Sequence, residues 1–219
     1  MAANGIQLVP LPAQGTVAGR PRKESVYDTD CWITGAAIPA QITLFQNFSA
    51  FSVVPPSLLT KQFGRDTNLR GSGSSGLPQA THFFWYAWRC KVRAMGSNLG
   101  TAANVVVSEQ ILRATVLSYA QFNFQSSTLL TVQLDELPSG TGPAYTNTTQ
   151  NVATVFSLPN GVPDRRIGKD VTVMGRPIEL NALEAFTVPV FTPQGGFTPT
   201  AELYVTMVLD GVLLRGLSS

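Results

Sequence analysis

The stretch Thr81-His-Phe-Phe-Trp-Tyr-Ala-Trp-Arg-Cys-Lys-Val-Arg93 is the strongest strand signal in the chain, because aromatic and other strand-favouring residues fill it. Successive side chains of a strand point to opposite faces. One face therefore carries Phe83, Trp85 and Ala87. The other face carries Phe84, Tyr86, Trp88, Cys90 and Val92. Both faces are apolar in the first half, which predicts a central strand covered on both sides.

Basic residues occupy alternate positions in the second half of this stretch. Arg89, Lys91 and Arg93 share one face, which we expect to emerge to solvent or to a neighbouring molecule. The strand is thus predicted to be central, with one of its faces no longer covered by the protein's own core in the second half.

Shorter strand-favouring runs flank this stretch. Before it, runs between Cys31 and Val54 end at Pro55-Pro56, which cannot continue a central strand. After it, such runs are Phe122 to Phe124, Thr128 to Asp135, Asp170 to Met174, Phe186 to Phe191 and Glu202 to Arg215. In the last run Gly211 allows a bulge or a close backbone approach. Residues 105–120 are ambiguous and allow a helix.

These runs amount to about eight strands and at most one short helix. The predicted fold is all-β, an antiparallel two-sheet β-sandwich of jelly-roll type. Residues 1–27 are rich in Gly and Pro without apolar periodicity, which predicts an extended N-terminal arm before a jelly-roll domain at 28–219. Residues 138–166 are polar and rich in turn residues, which predicts a long exposed loop.

The chain is unusually poor in charge for its 219 residues. Charged residues make up 13% and hydrophobic residues 44%, whereas soluble proteins average about 25% charged residues. Interface centres are depleted of charge. The composition therefore predicts that other protein covers much of the surface, in an assembly of many copies of this chain.

Targeting signals and basic clusters are weak. No stretch reaches the roughly 18 apolar residues of a transmembrane helix, and Met1 to Gly15 lacks the pattern of a secretory signal, so we expect assembly in a cytoplasm.

The net charge of +2 does not indicate nucleic-acid binding by the body of the protein. Arg20, Arg22 and Lys23 stand close together in the arm, either as a solvated tail or as a weak contact to genome phosphates or anionic lipid head groups.

Catalytic constellations are not evident. The single histidine, His82, borders the aromatic strand, where a hydrogen-bonded strand-end role is more common than catalysis, and no G-x-S-x-G elbow accompanies it. Surface positions explain Asp135-Glu136 and Glu179 with Glu184 without glycosidase chemistry. We therefore predict a protein that is not an enzyme and uses no cofactor and no small-molecule substrate.

Metal and phosphate sites are equally unsupported by the sequence. Cys31 and Cys90 have no CxxC spacing and no neighbouring histidine, so we expect two buried, reduced cysteines and no metal site. The glycine-rich run 71–76 ends without the lysine of a phosphate-binding loop.

The order of the parts resembles the jelly-roll capsid proteins of tailless icosahedral phages. The resemblance lies first in Phe63-Gly-Arg-Asp-Thr-Asn-Leu69, which leads through a Gly/Ser loop to Gly76-Leu-Pro78 and the aromatic strand. It continues in Ile178-Glu-Leu, in Glu184-Ala-Phe-Thr-Val-Pro-Val and in the run Leu203 to Arg215. It covers most of the chain as an arrangement of elements.

The resemblance implies two four-stranded sheets in a virion shell built from many copies under closed symmetry, with other capsid or spike proteins as further partners. Since the arm carries only Arg20, Arg22 and Lys23, we expect this shell not to neutralise the genome directly. An internal membrane or a separate packaging system would then lie beneath it.

Two other functions stay open at this point. The first is an oligomeric host-attachment or carbohydrate-binding β-sandwich, such as a virion spike, which would expose one or two aromatic side chains in a shallow groove. The second is a glycosidase, which requires a carboxylate pair at about 5 to 9 Å.

Overall fold

The fold is described from a computed structural model. It describes residues 21–32, 41–51, 60–69, 77, 81–95, 110–111, 113–138, 169–170, 177–181, 184–192, 198–199 and 202–215. The predicted loop 138–166 therefore lies outside the described residues except for Pro138, and so do residues 1–20 of the predicted arm.

Nine strands and a single helical segment form the described structure, together with one short 3₁₀ turn. The strands are β1 (Pro21–Trp32), β2 (Gln41–Leu44), β3 (Thr81–Met95), β4 (Tyr119–Phe124), β5 (Ser127–Gln133), β6 (Lys169–Asp170), β7 (Ile178–Asn181), β8 (Phe186–Phe191) and β9 (Glu202–Arg215). Residues 110–111 and 113–117 are helical. The 3₁₀ turn, η1, spans Leu134–Glu136.

The strands form two antiparallel sheets. The first sheet has the order β1-β9-β3-β6, and β7 also pairs with β3. Because β9 pairs along the whole of β3, strands β6 and β7 share the opposite edge of β3. The second sheet has the order β2-β8-β4-β5. Two sheets, each four strands wide and connected in this order, form a jelly roll, so the predicted fold class is confirmed.

Aromatic rings join the two sheets. Trp85 of β3 lies 4.3 Å from Phe122 of β4, centroid to centroid, and Phe122 stacks on Phe186 of β8 at 5.8 Å. All three side chains are buried. Fully burying one aromatic side chain stabilises the fold by roughly 1.5 to 3 kcal/mol, so this cluster is a major part of the attraction between the sheets.

The side-chain alternation of β3 differs from the prediction. Phe83, Trp85, Trp88 and Cys90 all lie in one core, although simple alternation divides them between two faces. The pairing with β9 shifts register between Trp85 and Ala87, so a β-bulge inserts one extra residue there. Because the bulge shifts the alternation by one residue, the aromatic and apolar side chains that follow it point toward the core.

The predicted boundary of the arm is also wrong. Residues 21–27 belong to β1, which pairs with β9 without a break from Pro21 to Trp32. Val26 is buried in the core and thus extends the apolar face of the sheet. Most of the Gly and Pro residues that made residues 1–27 resemble an arm lie before residue 21. The composition of this region therefore did not reveal β1, which begins at Pro21.

Gly211 is the residue opposite the bulge, and it has no room for a side chain. A Cβ atom added there would lie 2.5 Å from the backbone oxygen of Phe84 and would also overlap the Phe83 ring. We expect Gly211→Ala to lower the free energy of unfolding by about 2 kcal/mol or more, because it overpacks β3 against β9. Urea unfolding of the purified variant measures this. Thr131→Ala, at an exposed strand position, is the control and should change the value by less than about 0.5 kcal/mol.

Candidate functional site

The outer face of the first sheet, opposite the core, carries polar and charged side chains that are nevertheless buried. Thr29 of β1 and Thr206 of β9 form a hydroxyl–hydroxyl hydrogen bond of 2.9 Å. Arg89 of β3 donates two hydrogen bonds to Asp210 of β9, from Nε at 2.5 Å and from Nη2 at 2.8 Å. Of the three basic residues predicted to emerge from β3, Arg89 is therefore neutralised and buried.

Strand β1 holds a second buried ion pair. Lys61 Nζ donates to both carboxylate oxygens of Asp28, at 3.1 and 3.0 Å, and to the backbone oxygen of Asn47 at 2.8 Å. The backbone N–H of Phe45 donates to Asp28 Oδ2 at 2.7 Å. The Lys61 and Asp28 side chains are 1% and 0% exposed. The pair thus fastens the segments on either side of residues 52–59 to the edge strand β1.

The environment of Asp28 opposes ionisation. Burial raises the pKa of this carboxyl to about 6, and the positive charge of Lys61 together with the hydrogen bond from Phe45 only partly offsets that shift. The fold therefore moves the titration of Asp28 from the range of an exposed aspartate to near pH 6.

A third carboxylate, Asp66, shapes an exposed turn beside β1. Its Oδ2 accepts the N–H of Gln62 at 2.9 Å and the Nη2 of Arg65 at 2.6 Å, and its Oδ1 lies 3.9 Å from Nη2 of Arg93 on β3. Gly64 in this turn has φ +87°, in the left-handed region that glycine favours. The turn displays Phe63, which is 53% exposed.

We call Phe63, Arg65 and Arg93 the arginine patch. Two guanidinium groups face one buried carboxylate in it, and the side chains of Arg65 and Arg93 are 34% and 44% exposed. The charge is therefore positive on balance, with an aromatic ring beside it. The strand pattern marked Arg93 as a surface group, whereas no sequence pattern marked Phe63 or Arg65. Gly64, which lies between Phe63 and Arg65, was the sequence feature that could have indicated an exposed turn there.

The predicted basic arm is placed only in part. Arg20 lies outside the described residues, whereas Arg22 and Lys23 are exposed residues of β1, opposite Leu213 and Val212 of β9. These two side chains project from a paired strand.

The residues considered for catalysis take structural contacts. His82 Nδ1 lies 2.8 Å from Glu179 Oε1, across the pairing of β3 with β7. Glu184 Oε2 accepts hydrogen bonds from the backbone and side-chain nitrogens of Asn181. Asp135 and Glu136 are exposed on η1.

The two cysteines are buried, and they form no disulfide with each other. Burial raises the pKa of each thiol to about 12, so both remain protonated at neutral pH. Within the described part of the chain, no three His, Cys, Asp or Glu side chains come together as metal ligands. The described helical segment is too short to cross a membrane.

Comparisons with known proteins give no further guidance. No protein-family model, curated protein or solved structure matches the chain. The contacts above are therefore the basis for any functional conclusion.

Removal of Lys61 tests the buried ion pair. We expect Lys61→Met to lower the free energy of unfolding at pH 7 by about 3 kcal/mol, because Asp28 then loses its counter-ion inside the protein. Lys23→Met, at an exposed position of β1, is the control for loss of one lysine. Equal urea-unfolding midpoints for the two variants would contradict the structural role of the pair.

The pKa of Asp28 makes a separate prediction about pH. Because the folded value of about 6 exceeds the usual 3.8, the stability contributed by Asp28 is fully present below about pH 3.8 and is lost as pH rises through about 6. Asp28→Asn cannot titrate. The unfolding free energy of the wild type minus that of Asp28→Asn should therefore fall between pH 4 and pH 6.5. A rise over this interval would show that the ionised pair stabilises the fold.

Proposed function

We propose that the chain is a structural capsid protein, a subunit of a phage or virus shell that self-assembles into a symmetric particle. The observation that carries this proposal is the scarcity of surface charge. The chain has only 15 basic and 13 acidic residues. Seven of them are buried in the described structure: Asp28, Asp30, Lys61, Asp66, Arg89, Glu202 and Asp210.

Burial of these charges leaves a surface that resembles an interface in composition. A soluble monomer ordinarily uses many surface charges of both signs to resist association. Here a quarter of the 28 charged residues are buried inside the subunit, and the described structure exposes four large apolar side chains: Phe63, Val116, Leu117 and Leu129. Contacts with further copies would bury these side chains.

The jelly-roll fold is consistent with this function, although it does not select it. Two-sheet jelly rolls occur in viral capsid proteins, in lectins and in cupins, so a functional conclusion must come from surfaces and sites. The virion would be the location of the assembled protein, with other capsid or spike proteins as additional partners.

The proposed shell makes little direct contact with its genome. Arg20, Arg22 and Lys23 are too few to neutralise many phosphates, and Arg22 and Lys23 lie on a paired strand. We assign this group at most a weak contact with genome phosphates or with the head groups of an internal membrane.

A carbohydrate-binding or host-attachment module is the second candidate. It would need exposed aromatic platforms, but all three tryptophans, Trp32, Trp85 and Trp88, are buried in the core. Phe63 is the one large aromatic side chain that the described residues expose. This candidate therefore rests on a single ring.

The oligomeric state tests the proposal. We expect mass photometry and negative-stain imaging, over a series of protein concentrations at low and moderate salt, to show rings, capsomers or closed shells. A monomer at every concentration would contradict it. Binding of a discrete small oligomer to a glycan array, abolished by Phe63→Ala, would instead favour the attachment module.

A further inference from the structure

We propose that two copies of this chain pair through strand β5, antiparallel to each other about a two-fold axis at Val132. This inference rests on the proposed self-assembly and names one contact within it. The pairing would join the four-stranded second sheets of two subunits into one continuous sheet. Backbone hydrogen bonds between the two β5 strands would hold the subunits together, as in other cases where a strand is added to an exposed sheet edge.

Strand β5 is an edge of the second sheet in the part of the chain that the structure describes. It pairs with β4 on one side, and no described strand lies on its other side. Its sequence, Ser127-Thr-Leu-Leu-Thr-Val-Gln133, contains no charged residue and no proline. The side chains of Leu129, Thr131 and Gln133 are exposed. Unpaired backbone groups of an edge strand recruit further strands, and proteins ordinarily prevent this with charge, proline, short length or a covering segment.

The other described edges of the two sheets have such protection. Strand β1 contains both basic and acidic residues, and Asn68 covers part of its edge. The Asn68 side-chain oxygen accepts the N–H of Tyr27 at 2.8 Å, and its side-chain nitrogen donates to the backbone oxygen of Ser25 at 2.7 Å. Strands β2, β6 and β7 are four, two and four residues long. Among these described edge strands, β5 alone combines seven residues with an uncharged sequence.

The alternation of the β4–β5 ladder determines which backbone groups β5 directs outward. The N–H of Leu134 donates to the backbone oxygen of Ser118 at 3.0 Å, directly beyond the last pair of the ladder. Hydrogen-bonded and non-hydrogen-bonded pairs alternate along an antiparallel ladder. Val132 therefore bonds to β4, whereas Thr131 and Gln133 point their N–H and C=O groups away from β4.

These outward groups are complementary to themselves. A two-fold axis at Val132 places Thr131 of one copy opposite Gln133 of the other, and Gln133 of the first copy opposite Thr131 of the second. In each of these two pairs the backbones can exchange both of their hydrogen bonds. The register shift between β4 and β5 falls at Leu129, so residues 130–133 pair regularly with β4 and the contact avoids the bulge.

A second copy of the chain is the partner that this strand specifies. An uncharged strand meets no like charge when it pairs with itself, and two identical strands match in length and in the spacing of their outward groups. Such a contact is isologous, because both subunits use the same surface, and it closes after two copies. The other contacts of a shell would then use other surfaces.

Proline at position 131 tests the contact. Because the N–H of Thr131 points away from β4, Thr131→Pro leaves the β4–β5 ladder intact, but it removes one donor from each copy and places the proline ring between the two strands. We expect this variant to raise the protein concentration needed for assembly by about tenfold or more. Mass photometry over a concentration series measures that concentration. Thr131→Ala keeps the N–H, so it is the matched control and should assemble like the wild type.

Paired charges test the register. Thr131→Glu combined with Gln133→Glu places like charges opposite each other across the axis, and it should raise the assembly concentration by about threefold or more. Thr131→Lys combined with Gln133→Glu places opposite charges there and should assemble at least as well as the wild type. Both positions are exposed, so the urea-unfolding midpoints of the two double variants should stay close to the wild-type midpoint.

The outcomes separate this contact from the proposed function. If the wild type assembles, and both Thr131→Pro and the double glutamate variant assemble equally well, the β5 contact is overturned while self-assembly stands. A lower unfolding midpoint for Thr131→Pro with unchanged assembly would also overturn it, since another part of the same chain would then cover β5. A wild type that is monomeric at every concentration would contradict the proposed function and this contact with it.

Discussion

The antiparallel pairing of β3 with β9 is the constraint on which the rest of the structure depends. It runs from Thr81 to Met95, and both outer partners of the first sheet are positioned by it, β1 through β9 and β7 through β3. The register of this pairing depends on one β-bulge in β3. The bulge lies opposite Gly211 of β9, where there is no space for a side chain. Because a shift of one residue exchanges the two faces of a strand, this bulge determines which aromatic rings reach the second sheet.

The sequence was sufficient to predict the β-sandwich, but not the bulge in β3 or the start of β1. Alternation, turn residues and the proline pair after Val54 predicted an all-β fold of about eight strands, because these signals are local. The bulge in β3 is not local, since it depends on the glycine that β9 supplies more than a hundred residues later. The start of β1 was missed for the same reason, because its partner is the end of β9.

The buried charges were the least predictable part of the candidate site. Asp28 and Lys61, or Arg89 and Asp210, are far apart in the chain, and nothing in their sequence neighbourhoods marks them as partners. Composition indicated a low charge but not that so much of it lies inside. Arg93 was predicted to face solvent or a neighbouring molecule, and its side chain is exposed. Its proximity to Phe63 and Arg65 required the folded turn.

The internal ion pairs and the low charge of the surface are connected. A buried pair contributes little net stability compared with apolar residues of the same size, but removal of either partner is costly, so such pairs act mainly to exclude alternative arrangements. In this chain they fasten the segments around residues 45–51 and 60–69 to β1 and join β3 to β9. The turn that carries Arg65 is one of the segments held in this way, through Asp66. Each charge that is paired inside the subunit is a charge that the surface lacks, so the same ion pairs that fix the strands also leave the surface poor in charge.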